Sequence, residues 1–174
     1  MKYINLVAIF LFITMGCTNQ ESSNHEIVLG IGSLAPELAY SSPTGSQLKL
    51  SSLRGKLVLI DFWASWCPPC RKENSNLVDA YNKYAKKNFK NGKGFEIFSL
   101  SLDKSKKEWI KAINKDKLVW KYHVSDLGGW QSKGSKKYNI RSIPSSVLID
   151  GDGIIIARDL KGTALHQFLE SQEK

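Results

Sequence analysis

Cysteine, histidine and long apolar runs are scarce in this chain, and each scarcity removes a class of function. Of three cysteines in 174 residues, two lie in Cys67-Pro68-Pro69-Cys70 and the third, Cys17, stands alone near the N-terminus. No second Cys-x-x-Cys accompanies the first, and His25, His123 and His166 are far apart, so the four ligands of a structural zinc site are missing. The apolar stretch from Ile4 to Met15 is about 12 residues, where a membrane-spanning helix needs roughly 20. Internal repeats and low-complexity tracts are absent. Acidic residues are in deficit, 16 against 25 lysines and arginines, for a net charge of +9 that drops by one if Lys2 is removed. The surplus falls in two clusters, Lys83 to Lys93 and Lys104 to Lys117, spaced like the outer faces of amphipathic helices. That reads as a solvated surface and not as a nucleic-acid site, with weak attraction to anionic lipid or acidic partners left open.

What is present at the N-terminus has the order of an export signal: Lys2, the apolar stretch, Gly16-Cys17, then the polar segment Thr18 to Asn24. Residues 1–16 are expected to be removed. A lone cysteine after a small residue at that place resembles a bacterial lipoprotein processing site, although Thr14 stands where an aliphatic residue is usual and Met15 is bulky. The resemblance implies that Cys17 becomes a lipidated N-terminus, with residues 17–29 as a tether; an ordinary signal peptide is the alternative. With 42% hydrophobic and 24% charged residues, the 174-residue chain can bury one core, which predicts a single domain over 30–174.

The chemistry concentrates at Trp66-Cys67-Pro68-Pro69-Cys70, directly after the apolar run Leu57 to Trp63. Lys56 to Trp63 predicts a central strand covered on both faces, and the prolines fit the first turn of a helix over Pro68 to about Phe89, because those N–H groups have no intrahelical partner. Asn91-Gly92-Lys93-Gly94 should end it. Further along, the pattern predicts a strand Phe95–Leu102, a helix Ser105–Asn114 capped by Ser105 with Glu108, and a short strand Trp120–Val124. Asp126 to Tyr138 reads as loop and short helix, Ser145–Asp150 and Ile154–Arg158 as a hairpin, and Thr163–Glu170 as a closing helix. Before the central strand, Gly30 to Leu53 reads as loop and hairpin turning at Pro43-Thr44-Gly45. This order implies an α/β fold whose sheet mixes parallel and antiparallel strands, with helices on both faces.

These elements together resemble the thioredoxin superfamily, and within it the TlpA/ResA-like exported thiol-disulfide oxidoreductases. The matching residues are Gly32-x-x-Ala35-Pro36, Leu53-x-Gly55-Lys56, Phe62 to Cys70, Glu73, and Ile143-Pro144 ahead of Val147-Leu148-Ile149-Asp150-x-x-Gly153, so the likeness covers about residues 30 to 171. It implies a thioredoxin-like mixed sheet with an N-terminal β-hairpin extension.

A cysteine at a helix N-terminus has unpaired N–H groups beside its sulfur, which places the Cys67 thiol below the usual ~8.5 and makes it the expected nucleophile. Cys70, one turn deeper, is the expected resolving thiol. Asp61, alone among apolar residues, is expensive to bury without purpose. Thioredoxins carry an acid at this place, and Asp61 is expected to have a raised pKa and to act as general base for Cys70, against the alternative of a strand-end aspartate in solvent. Glu73 matches a characteristic acid of the TlpA/ResA branch and is expected either to approach the dithiol and tune it or to be a surface residue. Ser75 departs from the family, which usually has a kinking proline there. Pro144 matches the family's cis-proline, implying that the Ile143 backbone pairs with an extended substrate; Trp66, Pro68 and Pro69 join that docking surface. Trp63 reads as core, and Trp109, Trp120 and Trp130 as packing or surface without a role.

Rival readings differ in testable residues. A peroxiredoxin would need proline at position 60 and threonine or serine at 64, where this chain has Ile60 and Ala64. A copper-chaperone-like module would use the cysteines with a histidine, and an adhesion or assembly subunit with a vestigial fold would not need Cys67. The resemblance favours a reductase over an oxidase or isomerase. It implies no cofactor or metal beyond the Cys67–Cys70 pair, disulfide-containing exported proteins as substrates, a membrane electron donor of the DsbD/CcdA type, a monomer, and a place on the periplasmic side of a bacterial cell envelope.

Overall fold

Leu38, Leu50 and Leu53 are buried, and the chain between the first two turns back as a hairpin of β1 (Ala39–Ser41) and β2 (Gln47–Lys49). The turn is closed by Ser42 N–H to the Ser46 carbonyl at 2.8 Å, with Gly45 at a φ of 92° that favours glycine. The computed structural model describes residues 29–174; the readings on 1–28, including the signal peptide and Cys17, lie outside the described residues.

Seven consecutive buried residues, Leu57–Trp63, form β3, and Phe95–Ser101 form β6 beside it in parallel. Between them lie α1 (Pro68–Tyr84) and a small hairpin of β4 (Asn88–Phe89) and β5 (Gly92–Lys93). The chain continues through α2 (Lys106–Lys115), β7 (Tyr122–Val124), a 3-10 turn at Gly129–Gln131, α3 (Lys133–Lys137), β8 (Ser145–Ile149), β9 (Ile155–Arg158) and α4 (Thr163–Gln172). The five-stranded sheet runs β7-β6-β3-β8-β9; β3, β6 and β7 are parallel, and β8 is antiparallel to both β3 and β9. β3 is thus the central strand, as its unbroken burial requires. The fold is thioredoxin-like, with the N-terminal hairpin added.

Helices cover both faces. On one, α1 meets α4 through Tyr84, whose hydroxyl donates to Glu170 Oε1 at 3.1 Å, and through the Asn76–His166 contact at 3.0 Å. On the other, Phe62 packs on Tyr138 just beyond α3, and the Tyr138 hydroxyl donates to the Pro36 carbonyl at 2.6 Å, tying the N-terminal segment down.

The expected strands and helices agree with the observed ones to within one or two residues, except at the end of α1. Helix α1 ends at Tyr84, not Phe89: Lys87 and Ala85 give their carbonyls to Gly94 and Phe95 N–H groups instead of to a further turn, and Phe89 reaches the core from β4. A Cβ on Gly94 would lie 2.8 Å from the Ala85 carbonyl oxygen, so this close return depends on glycine. Trp120 precedes β7 instead of starting it.

Candidate active site

Cys67 is the N-cap of α1, placed there because β3 ends at Trp63 and a tight turn follows, closed by Cys67 N–H to the Ala64 carbonyl. Pro68 and Pro69 take the first helical positions, where a missing N–H leaves no bond unmade. Cys67 and Cys70 are joined as a disulfide, and Cys67 Sγ accepts the Cys70 N–H at 3.2 Å. Both sulfur-bearing residues are buried, with Cys67 the less so. Cys67 Sγ lies 3.9 Å from the carbonyl oxygen of Ile143, and the Ile143–Pro144 peptide is cis. The structure therefore brings together across the sheet two segments more than seventy residues apart.

The loop before the dithiol is held from both sides. Asp103 accepts the Ser65 N–H and hydroxyl, while Arg71 donates to the Ser65 carbonyl at 3.1 Å. Arg71 also forms a two-pronged pair with Asp116, the C-cap of α2, and Asn74 donates to the same carboxylate. Burial alone would raise the Asp116 carboxyl, but Arg71 and Asn74 bring it below its ordinary range. α1 passes through Ser75 without a break, its hydroxyl bonded to the Lys72 carbonyl.

Asp61 is buried inside β3, which excludes the solvent-exposed alternative. Burial pushes its carboxyl up to about 7; the Ser99 hydroxyl, donating to Oδ2 at 3.1 Å, works against that, and the charge of Glu73 adds to it. Glu73 itself is half-buried, and its Oε1 accepts from Gly162 N–H at 2.9 Å and Asn76 at 2.8 Å. Its hydrogen bonds therefore join α1 to the start of α4, and its electrostatic influence is felt at Asp61.

Two clefts flank the dithiol. One, of about 570 Å³, has Pro69, Glu73, Pro144, Lys161 and Gly162 in its walls. The other, of about 420 Å³, lies between Trp66 and Trp130, floored by Leu102 and Gly129 with Lys104 at its side. The two indoles are half-exposed with ring centroids 6.2 Å apart. Sequence reasoning gave Trp130 no role, since nothing in local spacing signals its neighbour 64 positions earlier. It also missed Trp120, whose indole donates to Ser99. Trp63 and Trp109 are core residues as expected. Among the described residues there is no group of three or more histidine, cysteine, aspartate or glutamate side chains that could hold a metal.

A disulfide at a helix N-terminus, the Ile143 carbonyl facing its outer sulfur and a buried acid in the strand that leads to it are the parts of a dithiol exchange site. Comparison with known proteins agrees. A thioredoxin-like family model matches residues 55–155. The thiol-disulfide oxidoreductase ResA of Bacillus thuringiensis is 32% identical over 148 residues, spanning 83% of this chain and 77% of that protein. The thioredoxin-like protein YneN of Bacillus subtilis is 28% identical over 86% of this chain and 85% of its own. Among solved structures, a thiol-disulfide oxidoreductase from Bacteroides fragilis superposes with a TM-score of 0.72 at 34% identity, over 80% of this chain and 98% of that one. The chain therefore belongs to the thioredoxin-like thiol-disulfide oxidoreductases, of the TlpA/ResA type.

Proposed function

We propose that this protein reduces disulfides of exported cell-envelope proteins, cytochrome c maturation-type or general, through the Cys67–Cys70 dithiol. In the reduced form, the Cys67 thiolate attacks one sulfur of the substrate disulfide; a protein–substrate disulfide forms and the first substrate thiolate leaves. Cys70 then gives its proton to the Asp61 carboxylate and attacks Cys67 Sγ. The second substrate sulfur leaves as a thiolate, the Cys67–Cys70 disulfide forms, and two electrons have passed from the dithiol to the substrate. The observation that carries this reading is Cys67 at the α1 N-cap, its sulfur taking a helix N–H and facing the Ile143 carbonyl. Helix-terminal N–H groups stabilise a thiolate at that sulfur.

Ile143, Pro144, Pro68, Pro69 and Trp66 form the substrate surface in this reading, with the Ile143 backbone pairing to an extended segment. Glu73 acts through its charge on Asp61. Cys17 carries the lipid, the tether holds the domain at the periplasmic side of a bacterial membrane, and a membrane thiol-disulfide protein of the DsbD/CcdA type returns electrons to the pair.

Two measurements test it. A Cys70→Ser variant expressed in the envelope accumulates mixed disulfides with exported proteins, and Cys67→Ser accumulates none. The reduction potential of the pair falls near the roughly −270 mV of thioredoxin; a value near the roughly −120 mV of a strong oxidant assigns the opposite direction of electron flow.

A further inference from the structure

Asp61 belongs to a polar row that crosses the sheet. Register pairs Ser146 of β8 with Asp61 of β3, Asp61 with Ser99 of β6, and Ser99 with His123 of β7. Directly paired residues of neighbouring strands put their side chains on the same face, so these four form one rung. All four are buried. Ser146 is committed elsewhere, its hydroxyl donating to the Leu160 carbonyl at 3.1 Å. That leaves Ser99 as the hydroxyl that serves the carboxylate.

The direction of the Ser99 bond is fixed from behind. Trp120, buried in the connection between α2 and β7, places its indole Nε1 3.0 Å from Ser99 Oγ. An indole N–H can only donate, so Ser99 must accept it, and the single proton of the hydroxyl is left for Asp61 Oδ2. The indole is clamped between rings: Tyr81 of α1 at 5.9 Å and, stacked at 5.3 Å, His123. Burial holds His123 neutral, with its Nε2 3.4 Å from the Leu118 carbonyl oxygen.

We propose that Ser99 and Trp120 are positioning residues: the chain indole N–H to Ser99 hydroxyl to Asp61 carboxylate aims a preorganised donor at the proton acceptor of Cys70. This rests on the reading of Asp61 as that acceptor. A donor held in place favours the charged carboxylate and opposes the burial that disfavours it. Other titratable groups on the surrounding elements are Cys70, Glu73 and Tyr81 on α1, Glu96 on β6, His123 on β7, and Asp159 beyond β9, which accepts the Ser145 hydroxyl and Ser146 N–H. Of these, Glu73 acts on Asp61 in the sense opposite to Ser99.

The test reads the pH profile of disulfide reduction and, separately, the protonation of Asp61 by carboxyl carbon NMR in the reduced protein. Ser99→Ala moves both midpoints to higher pH by about 0.5 to 1 unit, the size of one hydrogen bond. Trp120→Phe, which keeps the ring between Tyr81 and His123, moves them in the same direction by less. Ser99→Thr retains the wild-type values. In an Asp61→Asn background, neither Ser99→Ala nor Trp120→Phe moves the kinetic profile. If Asp61→Asn alone leaves that profile unchanged, the acceptor reading fails, and the NMR titration still decides whether Ser99 and Trp120 govern the carboxyl. Unshifted carboxyl titration in folded Ser99→Ala and Trp120→Phe overturns the proposal.

Discussion

Asp61 and His123 share one rung of the sheet, and burial drives their protonation in opposite directions. The Asp61 carboxyl rises from 3.8 to about 7, and the His123 imidazole falls from 6.5 to about 4. Between pH 4 and 7 the folded protein holds a proton on Asp61 that the unfolded chain has released, so this residue makes stability fall as pH rises. Between pH 4 and 6.5 the unfolded chain holds a proton on His123 that the folded protein does not, so this residue makes stability rise with pH. The two slopes oppose each other. Asp61→Asn removes the first, and urea unfolding is expected to show a gain of about 4 kcal/mol at pH 7.5, shrinking as the pH falls toward 4. A variant no more stable than wild type at pH 7.5 contradicts the buried, raised carboxyl.

At the scale of elements, the site depends on how α1 is fastened at its first turns. Arg71 and Asn74 fasten them to the end of α2, and Arg71 and Asp103 fasten the Ser65 loop. Truncation to Arg71→Ala leaves Asp116 without its main partner and Ser65 without one of its supports. The expected loss is about 2 kcal/mol in thermal or urea unfolding, with slower disulfide exchange, because the pair is only partly exposed. Lys at this position keeps the charge but not the fork, and recovers only part of the loss. Local pattern revealed the start of α1 but not its end. Tyr81, Tyr84, Ala85 and Phe89 keep helical spacing past the point where the chain leaves the helix, and the return of Gly94 onto Ala85 is a contact between segments that periodicity does not encode.

Among the described residues, the dithiol stands at the end of the central strand between two clefts, while a wider cleft of about 1130 Å³, lined by Arg54, Lys90 and Lys93 among others, lies at the start of β3. The chemistry selects the smaller clefts. Trp66 and Trp130 form a half-exposed aromatic wall next to Cys67, large enough for an apolar side chain of a bound polypeptide. Trp130→Ala is therefore expected to raise KM for polypeptide disulfides about tenfold while leaving kcat and the reduction of a small aromatic disulfide unchanged. Equal loss on both substrates indicates damage to the dithiol instead of a lost contact.

The sequence by itself determined what short-range chemistry can express. An apolar run long enough for a covered strand, a Cys-x-x-Cys carrying proline where a helix tolerates it, and glycines at the turns placed a reactive pair at the head of α1. Asp61 was legible too, because a lone carboxylate in such a run is costly to bury without a use. Tertiary structure decided the partners. Ser99 reaches Asp61, Trp120 reaches Ser99, Gly162 takes Glu73, Trp130 stands beside Trp66 and Ile143 faces Cys67 only once strand order and register are set. Those pairings join residues from about 20 to 90 positions apart, and local periodicity fixes which face a side chain occupies but not which distant side chain will meet it there.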